Sequence, residues 1–371
     1  MKMNTYPLES ISLKDAKAFQ FKMVDIITKH FKGTEILSLG DLGVVKGLNK
    51  PSCTKKAESV VAEFFNEEKA VFLRGAGTGA LRWGIISFME SKDTLLVHDA
   101  PIYPTTEVTI KTMGIKVVKA NFNDRDEVIK VLKENKEIKG ALVQYTRQKI
   151  DDRYNMEEVI KTIKEFNKDI KIITDDNYAV MKVEKIGTQC GADLSAFSSF
   201  KLLGPEGVGI LVGKKELIDK VISLNYSGGS QVQGFEAMEV LRGLVYAPVS
   251  LALQAEVNEE LAYRLNSGEI EGVKSAFLAN AQSKVLLVEL KKEIANEVLL
   301  ESERLGAAPN PVGAESKYEL VPMFYRISGT FRAADSSLEK RMIRINPMRS
   351  GADTVIRILK ESIKRAYEGA N

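Results

Sequence analysis

Apolar residues in this chain recur with two different periods, and the switch between them lays out the architecture. Near the N-terminus, Ser12-Leu13-Lys14-Asp15 reads as a helix N-cap with an acid in the first turn, opening a helix to about His30. A stretch punctuated by glycine and proline, Gly40 to Pro51, precedes a second helix over Thr54–Phe65. From residue 69 the pattern alternates. Ala70–Leu73, Leu95–Val97, Val117–Val118, Ala141–Val143 and Ile170–Ile173 read as short buried strands. Thr78–Glu90, Thr105–Met113, Asp124–Asn135 and Met156–Phe166 read as the helices between them. Such alternation builds a mostly parallel sheet covered on both faces. Leu194–Phe197 and Val208–Val212 are two further strands, joined by only Ser198–Gly207. That link permits a hairpin but not a helical crossover, so the expected seven-stranded sheet is mixed, with one antiparallel strand.

A long helical pattern, Phe235 to Leu265, ends at the stop signal Asn266-Ser267-Gly268. Beyond it come a strand over Val285–Leu290, a helix over Ile294–Leu305, a loop rich in proline and glycine, two strands and a closing helix. The order changes there, so the expected organisation is an N-terminal segment (1–50), a large α/β domain (51–268) and a smaller C-terminal α+β domain (269–371).

Composition then excludes more than it assigns. A chain of 371 residues with 44% apolar content is enough for one large and one smaller core. Its 53 Lys and Arg nearly cancel 50 Asp and Glu, which gives no electrostatic reason for a nucleic-acid or anionic-membrane partner. Met1 to Lys17 has no apolar core of a signal peptide, and no stretch approaches a continuous apolar span. The expectation is a soluble cytoplasmic enzyme. Two cysteines, Cys53 and Cys190, and two histidines, His30 and His98, supply neither a disulfide framework nor a metal centre.

Three segments carry candidate chemistry. Arg74-Gly75-Ala76-Gly77-Thr78-Gly79-Ala80 falls between a strand and a helix, where backbone N–H groups and the helix dipole suit a phosphate-bearing ligand. The same turn satisfies a loose dinucleotide fingerprint, with Asp99 as the ribose acid, and a tight turn with no ligand is the third reading. Ile172-Ile173-Thr174-Asp175-Asp176-Asn177-Tyr178 puts an acid at the C-terminal end of a buried strand, where open α/β sheets bind ligands. A buried acid is costly unless it meets a cation or donor, and a pyridinium N–H would serve. Tyr178 could then donate to the phenolic oxygen of such a ring; a helix N-cap or loop acid is the plainer reading of Asp175. Finally, Ser198-Ser199-Phe200-Lys201 and Gly204-Pro205-Glu206-Gly207-Val208-Gly209 set a lysine at a strand end between hydroxyls and glycines. Partial burial favours the neutral amine that a Schiff base needs, and Ser198 or Ser199 would bond a phosphate; a solvated lysine is the alternative.

In this order, the glycine turn, Asp-x-x-Tyr, Ser-x-x-Lys and Gly-Pro-x-Gly-Val-Gly resemble fold-type I enzymes dependent on pyridoxal 5′-phosphate (PLP), the aspartate aminotransferase superfamily. The last motif is most similar to the class V aminotransferase and cysteine desulfurase branch. The whole chain resembles the YhfS-type PLP proteins grouped with enzymes of cysteine and methionine metabolism. That resemblance implies PLP as cofactor, a Schiff base on Lys201, Asp175 at the pyridine nitrogen and Tyr178 near O3′. It also implies Gly77, Thr78, Gly79 and Ser198 at the phosphate, and Tyr103 stacked on the ring with His98 as runner-up, although a packing histidine is the plainer reading of His98. Gly228-Gly229-Ser230-Gln231 resembles the element that in class V relatives reaches the partner subunit's phosphate site, so a homodimer with shared active sites is implied. Arg344 matches the arginine that clamps the substrate carboxylate in the C-terminal domain, a task suited to a guanidinium; a surface strand arginine is the alternative.

The chain also departs from the pattern. Gln144 stands where relatives place Asn or His against the ring, and Arg147 is a candidate for a second acidic group on the substrate. No cysteine follows Cys190, which disfavours desulfurase chemistry. By fold-level analogy the expectation is transamination of a small amino acid, with carbon–sulfur lyase chemistry (β/γ-elimination) as the alternative. A nicotinamide-dependent oxidoreductase and a PLP-binding protein without turnover are the readings from other classes. The first leaves Lys201 and Asp175 without work.

Overall fold

A computed structural model of the chain describes residues 5–146, 149, 151–280, 284–312, 315–327 and 336–369. The chain forms two compact units. The larger is made of Lys14–Thr146 and Arg153–Pro248, the smaller mainly of the chain from Val249 onward.

In the larger unit, helices α1 (Leu13–His30) and α2 (Ser52–Phe65) precede the sheet. Its elements then follow as β1 (Lys69–Arg74), α3 (Ala76–Ile86), β2 (Thr94–His98), α4 (Pro104–Thr112), β3 (Lys116–Ala120), α5 (Arg125–Glu134), β4 (Ile138–Gln144), α6 (Met156–Phe166), β5 (Lys171–Asp175), β6 (Leu194–Ser198) and β7 (Val208–Gly213). The seven strands lie in the order β1-β7-β6-β5-β4-β2-β3. β2 to β6 are parallel, and β7 runs antiparallel between β6 and β1, as the short link predicts. Two apolar clusters cover the sheet, one with Leu81, Ile85, Leu95 and Ile173, the other with Leu96, Val143, Ile160 and Ile172. Ile172 and Ile173 are neighbours in one strand and enter opposite clusters, which is the period of two of a β-strand buried on both faces.

Local signals explain most boundaries. Asp124 caps α5 by accepting from the N–H groups of Asp126 and Glu127, and Asn155 caps α6 by accepting from Glu158. The start of α2 is capped from outside its own sequence: the Asp41 carboxylate accepts from the N–H groups of Ser52 (2.6 Å) and Cys53 (3.0 Å). Among the helices of ten or more residues, α7 (Lys215–Leu224) carries no signal in the sequence; its N-cap position is Lys214, which makes no side-chain cap.

The long helix α8 (Gly234–Asn266) contains Pro248, and the two units divide at that proline. The sequence places the division at Asn266-Ser267-Gly268, because a continuous helical pattern gives no punctuation where its two halves join different cores. The stretch Gly228–Asn266 is long and apolar enough to cross a membrane by length and composition, yet 56% of its apolar window is buried inside the protein. The smaller unit continues with β8 (Val273–Ala279), β9 (Val285–Leu290), α9 (Ala295–Arg304), β10 (Met323–Arg326), β11 (Met342–Asn346) and α10 (Ala352–Gly369). Its four strands form an antiparallel sheet in the order β10-β11-β9-β8. The strand missing from the sequence reading is β8, whose polar and small residues give it no clean alternation.

Candidate active site

The parallel strands end together at one edge of the large sheet, and the candidate residues sit on those ends. Asp175 closes β5, flanked in register by Gln144 at the end of β4 and by Ala196 of β6, two residues before Ser198. The glycine turn follows β1. Because β7 is antiparallel to both β1 and β6, the ends of those two strands fall on the same edge. An open α/β sheet binds ligands at this edge because the loops there carry the side chains and helix N-termini.

The turn after β1 is built for close approach. The N–H groups of Gly75 and Ala76 donate to the Gly207 carbonyl at 2.9 and 3.0 Å. Among the described residues, those of Gly77 and Thr78 donate to no carbonyl. They open the eleven-residue helix α3, so its positive end presents two free donors. A Cβ on Gly79 would lie 2.1 Å from the Arg74 carbonyl oxygen, and one on Gly77 would lie 2.5 Å from the Asn177 amide nitrogen. Only glycine fits either place. The Thr78 hydroxyl is 2.9 Å from that of Thr105 on α4.

Lys201 stands on a turn of 3-10 helix, Ser199–Leu202, that follows β6 directly. Its Nζ lies 3.7 Å from the centroid of the Tyr178 ring, so the amine meets the ring face. Tyr178 adopts φ +66°, a left-handed backbone that an aromatic residue takes only when its surroundings enforce it. The two serines separate cleanly. The Ser199 hydroxyl is buried and lies within bonding distance of the carbonyls of Pro205 (2.9 Å) and Val208 (3.0 Å), holding the lysine turn to β7. Ser198 is buried at the strand end, and its backbone N–H donates to the Asn177 side-chain oxygen at 3.0 Å.

Burial raises the Asp175 carboxyl above the usual carboxylate range; hydrogen bonds from Asn177 and the charge of Lys201 oppose that rise. Both bonds recorded among the described residues fall on Oδ1, from the Asn177 backbone N–H at 3.1 Å and its Nδ2 at 2.8 Å. Oδ2 thus remains for a further donor. Asp176 is fully buried and pushed up to about 6 by that burial, while its Oδ2 accepts from the Gly187 N–H at 2.9 Å. These features fit PLP on three counts: free N–H groups at a helix N-terminus for a phosphate, a buried acid with one open oxygen for a ring nitrogen, and a lysine on the turn after β6, the strand that lies between β1 and β5 in the sheet.

Other expected residues are placed less centrally. Tyr103 is exposed at the N-terminal cap of α4. Gln231 is buried, and its amide donates to the carbonyls of Asn225 (2.7 Å) and Ser227 (3.3 Å), while Gly228 and Gly229 before it are exposed. His98 packs: Phe122 N–H donates to its Nδ1 at 3.0 Å, and its ring meets those of Phe122 and Tyr154. Cys190 packs against the cluster of Ile160 and Ile172, and burial raises its thiol to about 11, so it stays protonated. In the smaller unit, Arg344 lies on β11, its guanidinium 4.1 Å from the Tyr325 ring centroid and its Nε donating to the Arg326 carbonyl at 2.6 Å. Arg147 lies outside the described residues.

Two residues of this edge escaped the sequence reading. Asn177 stands inside the Asp175 motif, where the sequence alone marks no role for it. Gly243, in the middle of α8, lets that helix close on the turn after Lys201: a Cβ there would lie 2.6 Å from the Leu202 carbonyl oxygen and the Gly204 nitrogen. A glycine inside a helical pattern is the one sequence signal that could have marked it.

Strand order, the lysine turn after β6, the acid ending β5 and the glycine turn after β1 together define a fold-type I protein of the PLP-dependent superfamily. Residues 50–240 match the aminotransferase class-V family, and residues 259–359 match the YhfS-like C-terminal domain. The chain is 51% identical over 361 residues to the Escherichia coli K12 protein described as "Uncharacterized protein YhfS", covering 97% of this chain and 99% of that one. The crystal structure of the PLP-dependent protein YhfS from E. coli superposes with a TM-score of 0.96 over 98% of this chain and all of that one. A cysteine desulfurase of Wigglesworthia glossinidia brevipalpis is 27% identical over 48% of this chain and 47% of its own length. A carbon-sulfur lyase of Clostridium novyi NT shares the fold at 18% identity, with a TM-score of 0.71 over 96% of this chain and 91% of that one. The chain belongs to the YhfS-like family.

Proposed function

We propose that this protein is a PLP-dependent aminotransferase acting on a small amino acid, with Lys201 as the residue that carries the cofactor. One observation supports the reading most: the Lys201 amine lies on the Tyr178 ring face, three residues along from the buried acid Asp175, whose carboxyl it influences. PLP, when bound, supplies an electron sink for the bond broken at the substrate Cα. The rest falls to this chain. Gly77 and Thr78 would hold the phosphate with backbone N–H groups and the Thr78 hydroxyl, joined by Ser198; Gly79, whose N–H donates to the Gly75 carbonyl at 2.8 Å, would serve by the close approach its missing side chain allows. Asp175 would hold the proton on the ring nitrogen, its Oδ2 being left open by the bonds on Oδ1. Tyr103 would stack on the ring, Tyr178 would donate its hydroxyl near O3′, and Lys201 Nζ would take the proton from Cα and return it elsewhere. Arg344 is the proposed clamp for the substrate carboxylate, and Arg147 a proposed partner for a second acidic group.

Membership of the class V group favours transamination over elimination, and desulfurase chemistry lacks a cysteine after Cys190. The test is a screen of amino acids with and without an added 2-oxo acid. Transamination requires the acceptor and releases no ammonia. Ammonia with pyruvate or 2-oxobutyrate, formed with no acceptor present, would assign the enzyme to carbon–sulfur lyase chemistry instead.

A homodimer belongs to this proposal. The segment before α2 is bonded to the loop that carries Gln231: Gly43 N–H donates to the Gln233 side chain at 2.8 Å, and Gly234 N–H to the Asp41 carbonyl at 2.9 Å. These two bonded segments carry Leu37, Leu39, Leu42, Tyr226 and Phe235, all exposed. An apolar surface of that kind marks an interface, and a second copy of the chain is the proposed occupant.

A further inference from the structure

We infer that Asn177 is a positioning residue that ties the ring-nitrogen acid to the phosphate end of the site. Its side chain bonds in two directions at once. Nδ2 donates to Asp175 Oδ1 at 2.8 Å, and Oδ1 accepts from the Ser198 N–H at 3.0 Å. The same amide packs on the Cα of Gly77, where a Cβ would lie 2.5 Å away. Three segments distant in sequence, the glycine turn after β1, the end of β5 and the end of β6, thus meet on one amide. The inference rests on the PLP reading of these residues.

The consequence for Asp175 follows from which oxygen is occupied. With two donors from Asn177 on Oδ1, the carboxylate cannot rotate without giving up a bond to a charged acceptor, and Oδ2 faces the remaining direction. The two donors also stabilise the ionised form against the burial that opposes it. Asn177 therefore orients Asp175 and opposes the loss of its charge to burial. An amide is the side chain that does this, since it donates to the carboxylate while accepting from a backbone N–H. Aspartate would set a second negative oxygen against Asp175; serine would reach one partner at most.

The test uses the full-length protein, its two single variants Asn177→Ala and Asn177→Asp, and the Asp175→Asn background with and without Asn177→Ala. Each is titrated with PLP, following binding and the ratio of visible to near-ultraviolet cofactor absorbance. Loss of one charge-assisted bond predicts PLP binding weakened about tenfold or more, with a reduced visible band in both single variants. In the Asp175→Asn background the Asn177→Ala deficit should largely vanish, because two residues acting as a unit are not additive. Asn177→Asp keeps the side-chain size, so it carries the test if Asn177→Ala does not fold. Parent-like affinity and absorbance in Asn177→Asp, or an undiminished Asn177→Ala deficit in the Asp175→Asn background, would overturn the role of Asn177 alone. A parent protein that never takes up PLP would overturn the reading of the whole site, and this role with it.

Discussion

Ser198 and Ser199 are neighbours in the chain with opposite duties. The Ser199 hydroxyl is committed to the carbonyls of Pro205 and Val208, so Ser199→Ala should cost about 1–2 kcal/mol in urea unfolding while PLP affinity stays near that of the parent. Ser198→Ala should do the reverse, keeping stability and weakening PLP binding. If both variants behaved alike, the division would be wrong. Asp176 offers a second prediction, on pH. Its folded carboxyl sits at about 6, above the usual range, so the folded state holds a proton that the unfolded state releases earlier. Stability must then fall as pH rises from about 4 to 6, and the full cost persists above that. Asp176→Asn keeps an acceptor for the Gly187 N–H and carries no charge. Its melting temperature should exceed the parent's by more at pH 8 than at pH 4.5, with about 3 kcal/mol as the upper bound. An offset independent of pH would contradict the burial argument. The lysine, the acid and the glycine turn were legible from sequence because polar residues at buried strand ends demand a reason. Asn177 was not, because its partner Gly77 lies far away in the chain and only the fold brings them together.

Edge strand β1 has its outer side covered by α2 in a way that puts an ion pair in the core. Lys50 and Glu58 are both nearly fully buried, with Nζ at 2.7 and 2.9 Å from the two carboxylate oxygens. Glu58 Oε1 also accepts from the Phe72 N–H of β1 at 3.0 Å, so the carboxylate seals an edge that would otherwise be open to another strand. Lys50→Met should destabilise by about 3–5 kcal/mol, since it strands a buried charge. Adding Glu58→Gln should recover much of the loss, because glutamine still accepts from Phe72. Chemical denaturation of the three proteins checks this; equal stability of the single and double variants would show that charge burial is not the cause. Most elements were readable from period and caps, down to the bounds of Met156–Phe166 and Val285–Leu290. Among the longer elements the misses were α7, which opens on a lysine, and β8, which lacks alternation. Asp41 capping α2 from eleven residues upstream is also invisible to a local pattern.

Two cores share one chain through a helix that continues across Pro248, and this is why the domain boundary could not be read from punctuation. The exposed apolar residues on the bonded segments that carry Leu39 and Tyr226 predict that the protein runs in solution at twice its chain mass of 41.1 kDa. Leu39→Asp with Leu42→Asp should shift it toward monomer, read by light scattering after gel filtration. A parent that is monomeric at micromolar concentration would contradict the proposed interface. Everything else in the account hangs on the lysine. The most direct test is borohydride reduction of PLP-supplied protein, followed by mass mapping of the parent beside Lys201→Ala. One reduced PLP adduct is expected, on the peptide that contains Lys201, and none in the variant. An adduct on another lysine, or one that persists in Lys201→Ala, would contradict it.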